Sequence, residues 1–199
     1  MKTLKMNSIK IFASFSLVIL LLTNGYAQSE SNTLTVSENK SDDKSMVDQP
    51  QMDIHAAIIS DNLEIVKQHI EAGIDINAKD PMGGSTPLIT AATFGKTDIA
   101  KALIDANAEL DIQNNEGSTA LHAAAFFCHV EIVKMLVEAG ADKSVKNNHN
   151  ATPRQSVIGP FSEMKPIYEM IQKQLEPLGL KLDLKDIEIS RPMVAILLQ

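Results

Sequence analysis

Between Leu63 and Val137 the apolar residues fall into three stripes at helical spacing: Ile65, Val66 and Ile70, then Ile99, Leu103 and Ile104, then Ile132, Val133, Leu136 and Val137. Each stripe predicts an amphipathic helix with one buried face. The stripes open on similar runs, Leu63-Glu64-Ile65-Val66-Lys67, Thr97-Asp98-Ile99-Ala100-Lys101 and Val130-Glu131-Ile132-Val133-Lys134. They close on Gly73, Asn107 and Gly140, residue types that accept the left-handed conformation ending a helix. A second landmark precedes the second and third stripes and then recurs: Gly84-Ser85-Thr86-Pro87-Leu88, Gly117-Ser118-Thr119-Ala120-Leu121 and Ala151-Thr152-Pro153. Thr86, Thr119 and Thr152 suit N-caps, and Pro87 and Pro153 suit the first helical position, where a missing N–H costs nothing. Ala91, Ala92, Ala123 and Ala124 then let a first helix lie close to its neighbours.

The threonines are 33 residues apart twice over, so the chain repeats a helix-turn-helix unit that cannot bury its apolar face alone. Thr119-Ala120-Leu121-His122-Ala123-Ala124, His129-Val130-Glu131-Ile132-Val133-Lys134 and Gly140-Ala141-Asp142 resemble the ankyrin repeat family. The landmarks cover about 100 residues, and their register makes the match specific. The resemblance implies an all-α solenoid of about four helix-turn-helix repeats with projecting β-turn loops and a C-terminal helical cap. The expected layout is repeat one over 51–80, repeat two over 81–113, repeat three over 114–146, a divergent repeat four over 147–177 and the cap over 178–199.

Three departures qualify the pattern. Repeat one has Met52-Asp53-Ile54-His55 in place of Thr-Pro, as a terminal repeat does. The interval from Gly73 to Asn107 is 34, with the extra residue around Pro81-Met82-Gly83-Gly84. In repeat four, Gly159-Pro160 and Pro166 interrupt the unit, so its second helix is expected from about Pro166 to Leu175, with Ile167, Met170, Ile171 and Leu175 facing the core. Leu180, Leu182, Leu184, Ile187 and Ile189, followed by Ser190-Arg191-Pro192 opening Met193 to Leu198, predict one more short helical pair. This tail looks like one on bacterial exported ankyrin proteins.

The N-terminus alters the reading of where such a protein works. Lys2, Lys5 and Lys10 precede the apolar run Ile11 to Leu22, and Gly25-Tyr26-Ala27 supplies the small residues of a cleavage site. A signal peptide over 1–27, cut after Ala27, is expected, and with it a periplasmic or secreted location. Twelve residues rising ~1.5 Å each reach only ~18 Å into a ~30 Å hydrocarbon core, too short for an anchor. Residues 28–50 are polar, without an aromatic ring, and predict a flexible acidic linker or a docking tail for a basic partner.

Loss of residues 1–27 removes three lysines and leaves 15 basic against 25 acidic side chains, a net charge of −10. Nucleic acid and anionic membranes are poor partners for such a surface. Cys128 is the single cysteine, so no internal disulfide can form and packing alone must hold the fold.

Candidate chemistry is sparse. Gly83-Gly84-Ser85 lacks the flanks of a nucleophile elbow, and there is neither a phosphate-binding loop nor a His-Glu-x-x-His pair. No catalytic residue, metal ligand or cofactor is expected. By resemblance, His122 is a structural histidine bonded to neighbouring loop backbone, with His55 in the corresponding slot of repeat one and Ile89 in repeat two. Cys128 stands where the family usually has glycine and reads either as a small, partly buried thiol or as a redox group.

In ankyrin proteins the concave face is built from loop tips and from two positions near the end of each first helix. Carried over, those positions are Thr93 and Phe94 in repeat two and Phe126 and Phe127 in repeat three. The loop tips are Met82 with Gly83, Asn115 with Glu116, and Asn148 with His149. Three of the four phenylalanines beyond residue 27 fall on these positions, which predicts exposed aromatic anchors for another protein. The alternative is that the rings lie against adjacent helices and the tail. The expected function is an exported, monomeric, non-enzymatic module that binds a partner protein. The resemblance allows protection of an envelope enzyme, such as a periplasmic haem enzyme, and the acidic charge allows an inhibitor or immunity protein for a basic toxin or hydrolase.

Overall fold

The computed structural model describes residues 50–199. The expected signal peptide and all but the last residue of the expected linker lie outside the described residues. Among the described residues eight α-helices follow one another: α1 (Ile54–Ile59), α2 (Leu63–Glu71), α3 (Pro87–Phe94), α4 (Thr97–Asp105), α5 (Ala120–Phe126), α6 (Val130–Glu138), α7 (Phe161–Leu175) and α8 (Leu184–Leu197). Two 3-10 turns, Pro153–Ser156 and Glu176–Leu178, flank α7.

The pairs stack in two layers. In the inner layer α3 packs between α1 and α5, and the Pro153–Ser156 turn continues the row against α5. In the outer layer α4 packs between α2 and α6, and α8 continues the row against α6. Close approach of the inner helices follows from their alanines: Ala91, Ala92, Ala123, Ala124 and Ala125 are all buried. The outer helices bury Val66, Ile99, Leu103, Ile132, Val133 and Leu136, each worth about 1.5–3 kcal/mol when removed from water.

At Thr86 and Thr119 the caps form as predicted. Thr86 Oγ1 accepts from Ile89 N at 3.3 Å, and Thr119 forms a reciprocal cap with His122. In repeat one Asp53 takes this role, its carboxylate accepting from His55 N and Ala56 N. Asn107 adopts a φ of 63°, matching the left-handed Gly73 and Gly140.

The extra residue near Pro81 lies inside a hairpin. Asn114 Oδ1 closes its hairpin by accepting from Glu116 N and Ser118 N, and Asn147 Oδ1 does the same with His149 N and Ala151 N. At Asp80 the hairpin is one residue longer, and the carboxylate uses both oxygens: Oδ1 accepts from Met82 N and Gly83 N, Oδ2 from Ser85 N. A second oxygen acceptor in place of the amide NH₂ is what the longer loop needs.

The C-terminal third corrects two expectations. Thr152-Pro153 opens only a single 3-10 turn, and the next helix begins at Phe161, five residues before Pro166. Met164, Tyr168, Ile171 and Leu175 form its buried stripe, while Met170 is exposed and Ile167 only partly covered. The expected helical pair after Leu178 is one helix, α8, with Pro192 inside it. Both prolines are exposed. Proline forfeits one backbone bond, but the stripes Met164-Tyr168-Ile171-Leu175 and Ile187-Arg191-Val194-Leu198 continue through each break, and their burial outweighs the loss. Because α8, not α7, packs on α6, α7 is an additional helix set between the two halves of the fourth unit.

Candidate functional site

The four positions expected at the ends of the first helices divide into two environments. Thr93 and Phe94 close α3 and are half-buried; the Thr93 hydroxyl donates to Ile89 O at 2.9 Å. Phe126 and Phe127 are only 2% exposed, which overturns their expected role as surface anchors. The cause is α7. Tyr168 sets its ring 4.9 Å from Phe126 and donates its hydroxyl to Phe126 O at 2.6 Å, while Phe127 meets Phe126 edge-on at 5.0 Å. The inner wall is therefore closed at repeat three and open at repeats one and two, where Ile59 and Phe94 are half-buried and Ser60 is exposed.

Arg191 of α8 locks the closure. Its Nη1 donates to the Tyr168 hydroxyl at 3.1 Å and its Nη2 to Gly159 O at 2.9 Å, with the guanidinium buried. Burial pushes the Tyr168 hydroxyl well above the ordinary tyrosine range, so it stays protonated and keeps donating. One tyrosine and one arginine thus tie repeat three, α7 and α8 together. The pattern Met164-Tyr168-Ile171-Leu175 carried this signal in the sequence.

Cys128 sits beside this cluster with a φ of 57°, the left-handed turn that Gly95 makes one repeat earlier. It is buried, and burial pushes its thiol up to about 12. The nucleophilic thiolate is consequently absent near neutral pH. Folded protein treated with a disulfide reagent at pH 8 is expected to react at least about a hundredfold more slowly than the urea-unfolded chain. Rapid labelling of the folded protein would show that the thiol is open.

The loop tips form a ladder. Asn115 N donates to Gly83 O at 2.9 Å and Asn115 Nδ2 to Met82 O at 3.0 Å; one repeat on, Asn148 N donates to Glu116 O at 3.0 Å and Asn148 Nδ2 to Asn115 O at 2.9 Å. Asn115 and Asn148 remain exposed, but their amide N–H groups are engaged in holding the hairpins in step. Met82, Glu116 and His149 are half-buried, with His149 Nε2 3.7 Å from Glu116 Oε2. The closing residues Asp80, Asn114 and Asn147 were not anticipated, although they recur in step with Gly73, Asn107 and Gly140.

The histidines join repeats. His122 Nε2 donates to Ala151 O at 3.0 Å, and its Nδ1 accepts from Thr119 N at 3.2 Å. His55 lies one residue nearer its N-cap; its Nδ1 meets the Thr90 hydroxyl at 2.9 Å, and the ring also bonds the loop backbone at Ala78. His129 packs over Gly95 and reaches Thr93 O at 3.4 Å. Burial lowers the pKa of all three, which favours neutral rings. Among the described residues no group of three His, Cys, Asp or Glu side chains could hold a metal ion, and no helix is long and apolar enough to cross a membrane.

Comparison with known proteins places this geometry in a family. Residues 54–147 match the family described as ankyrin repeats (3 copies), and this part of the chain is built of ankyrin repeats. The human protein phosphatase 1 regulatory subunit 27 is 42% identical over 64 residues, 32% of this chain and 41% of that protein. An ankyrin repeat-containing protein of Schizosaccharomyces pombe, P1E11.10, is 32% identical over 54 residues, 27% of this chain and 26% of its own length. The chain therefore spans less than half the length of these relatives. Among solved structures, the ankyrin repeat domain of Bcl-3, described as a member of the IkappaB family, superposes with a TM-score of 0.51 at 31% identity. That match covers 60% of this chain and 50% of the Bcl-3 chain. Ankyrin repeats are protein-interaction modules, and this chain carries such a module.

Proposed function

We propose that the protein is an exported, non-catalytic module that holds a partner protein on the open end of its inner wall, stabilising or regulating it. The observation that carries the site is the difference between the rings: α7 covers Phe126, against which Phe127 packs edge-on, whereas Phe94 and Thr93 one repeat earlier stay half-buried. Met82, Asn115, Glu116, Asn148 and His149 form the adjoining rim. Export rests on the basic, apolar and small-residue segments that precede Gln28. One relative is by name a regulatory subunit of a phosphatase, which supports an enzyme as the partner class.

Burying one phenylalanine is worth about 1.5–3 kcal/mol, so Phe94→Ala is expected to weaken partner capture from the native envelope roughly ten- to hundredfold. The helical circular dichroism spectrum should be unchanged. Wild-type capture by Phe94→Ala would remove this surface from consideration. A net charge of −10 for the exported chain favours a second reading, an inhibitor or immunity protein for a basic toxin or hydrolase. Capture that collapses at high salt supports that reading; capture that resists salt supports the aromatic wall.

A further inference from the structure

The outer face of α8 carries an apolar stripe that nothing in the repeat array accounts for. Ile189, Met193 and Ile196 are 65%, 52% and 63% exposed. At 100° per residue they lie within about 60° of one another around the helix, and the exposed Pro192 borders them. Every other exposed large apolar side chain among the described residues stands on a different element. From Ile189 to Gln199 the single charged residue is Arg191, which points inward and is buried. The stripe is thus both apolar and uncharged on a helix whose opposite face already fills the core.

The charges at the two ends of α8 have opposite sign. Asp183, Lys185, Asp186 and Glu188 are all exposed at its start, a net charge of −2. At its end Arg154 Nε donates to Ala195 O at 3.1 Å and Lys143 Nζ donates to Gln199 O, so two cations surround the last turn. Two copies of α8 laid side by side in parallel would set like charge against like. Laid antiparallel, each acidic first turn faces the basic last turn of the other copy, with Ile189 opposite Ile196 and the two Met193 side chains near the axis.

We infer that this face is a self-association surface, on which α8 of a second copy packs antiparallel about a two-fold axis near Met193. The pairing is isologous, so one surface serves both copies and the assembly closes at two. It leaves the open wall around Phe94 on a different face, so each copy keeps its own binding surface. Three side chains and a proline ring fall short of the ~800 Å² per partner of a standard stable interface, and dissociation constants of about 10–100 µM are expected.

The test is sedimentation of the protein, purified after expression of the full chain, across about 5–500 µM, a range that brackets those constants. A reversible monomer–dimer equilibrium is expected, lost in Ile189→Glu together with Ile196→Glu, whose helical spectrum should match the wild type because both positions are exposed. Oxidation of Met193→Cys should give a disulfide-linked dimer, while Lys185→Cys should not; the buried Cys128 does not compete. A monomer at every concentration, or a dimer indifferent to the double glutamate variant, overturns the surface. Equal cross-linking at positions 185 and 193 overturns the antiparallel arrangement.

Discussion

Tyr168→Ala is expected to cost about 3–5 kcal/mol of unfolding free energy, enough to threaten folding in a domain of ordinary stability. The ring is fully buried, tilted against Phe126 and stacked on Phe161, whose centroids lie 4.9 and 6.0 Å away. Its removal would leave a cavity where α7 meets repeat three, and would also strip Phe126 O and Arg191 Nη1 of the hydroxyl they share. Tyr168→Phe separates these contributions: it keeps the packing and should cost about 1–3 kcal/mol, the penalty for leaving buried polar groups unpaired. Urea unfolding followed by circular dichroism measures both. A loss below about 1 kcal/mol for Tyr168→Ala would mean that α7 is an appendage, and that Phe126 and Phe127 are covered too weakly to be excluded as binding residues.

The order of these costs explains what the sequence made legible. Thr86 and Thr119 announced caps because capping is a local matter, decided by a side-chain oxygen and a backbone N–H three residues on. The stripes of α2, α4 and α6 were equally plain, each contained within nine residues. Asp80, Asn114 and Asn147 were available in the same way, since each closes its own hairpin, and only the 34 and 33 spacing had to be compared.

The fourth unit was misjudged because its determinants are not local. Pro166 reads as a helix start wherever nothing upstream contradicts it, yet Met164 and Tyr168 lie on one stripe across it, and that stripe has meaning only against Phe126, 42 residues earlier. Arg191 reads as part of a helix start at Ser190-Arg191-Pro192, and its lock on the Tyr168 hydroxyl and the Gly159 carbonyl is set by residues 23 and 32 positions away. The same blindness affected the candidate site. Phe126 and Phe127 stand at positions expected to face outward, but the inserted helix covers Phe126, and Phe127 packs between Phe126 and His129. Phe94, equivalent to Phe127 in the repeat, stays half-buried, while Tyr168 of α7 docks one repeat further on.

Gly117→Ala is expected to destabilise the protein by about 2–4 kcal/mol, the sum of a left-handed penalty of about 1–2 kcal/mol and a steric one of comparable size. Gly117 has a φ of 71°, and a Cβ there would sit 2.6 Å from Asn148 Oδ1 and 2.8 Å from Asn148 N. The backbone nitrogen cannot swing aside as a side chain can, so the 147–150 hairpin must move away and release its bonds to Glu116 O and Asn115 O. Gly140→Ala isolates the conformational share: its φ is 94°, but nothing lies within 4 Å of a Cβ, so about 1–2 kcal/mol is expected. Unfolding curves for the two variants should therefore separate, with Gly117→Ala the weaker protein. Equal losses would mean that the hairpins yield freely and that the asparagine ladder does not hold them. If the loop tips are a rim for a partner, only Gly117→Ala should also weaken capture, because only that substitution displaces Asn148 and His149 from the ladder while leaving Phe94 where it is.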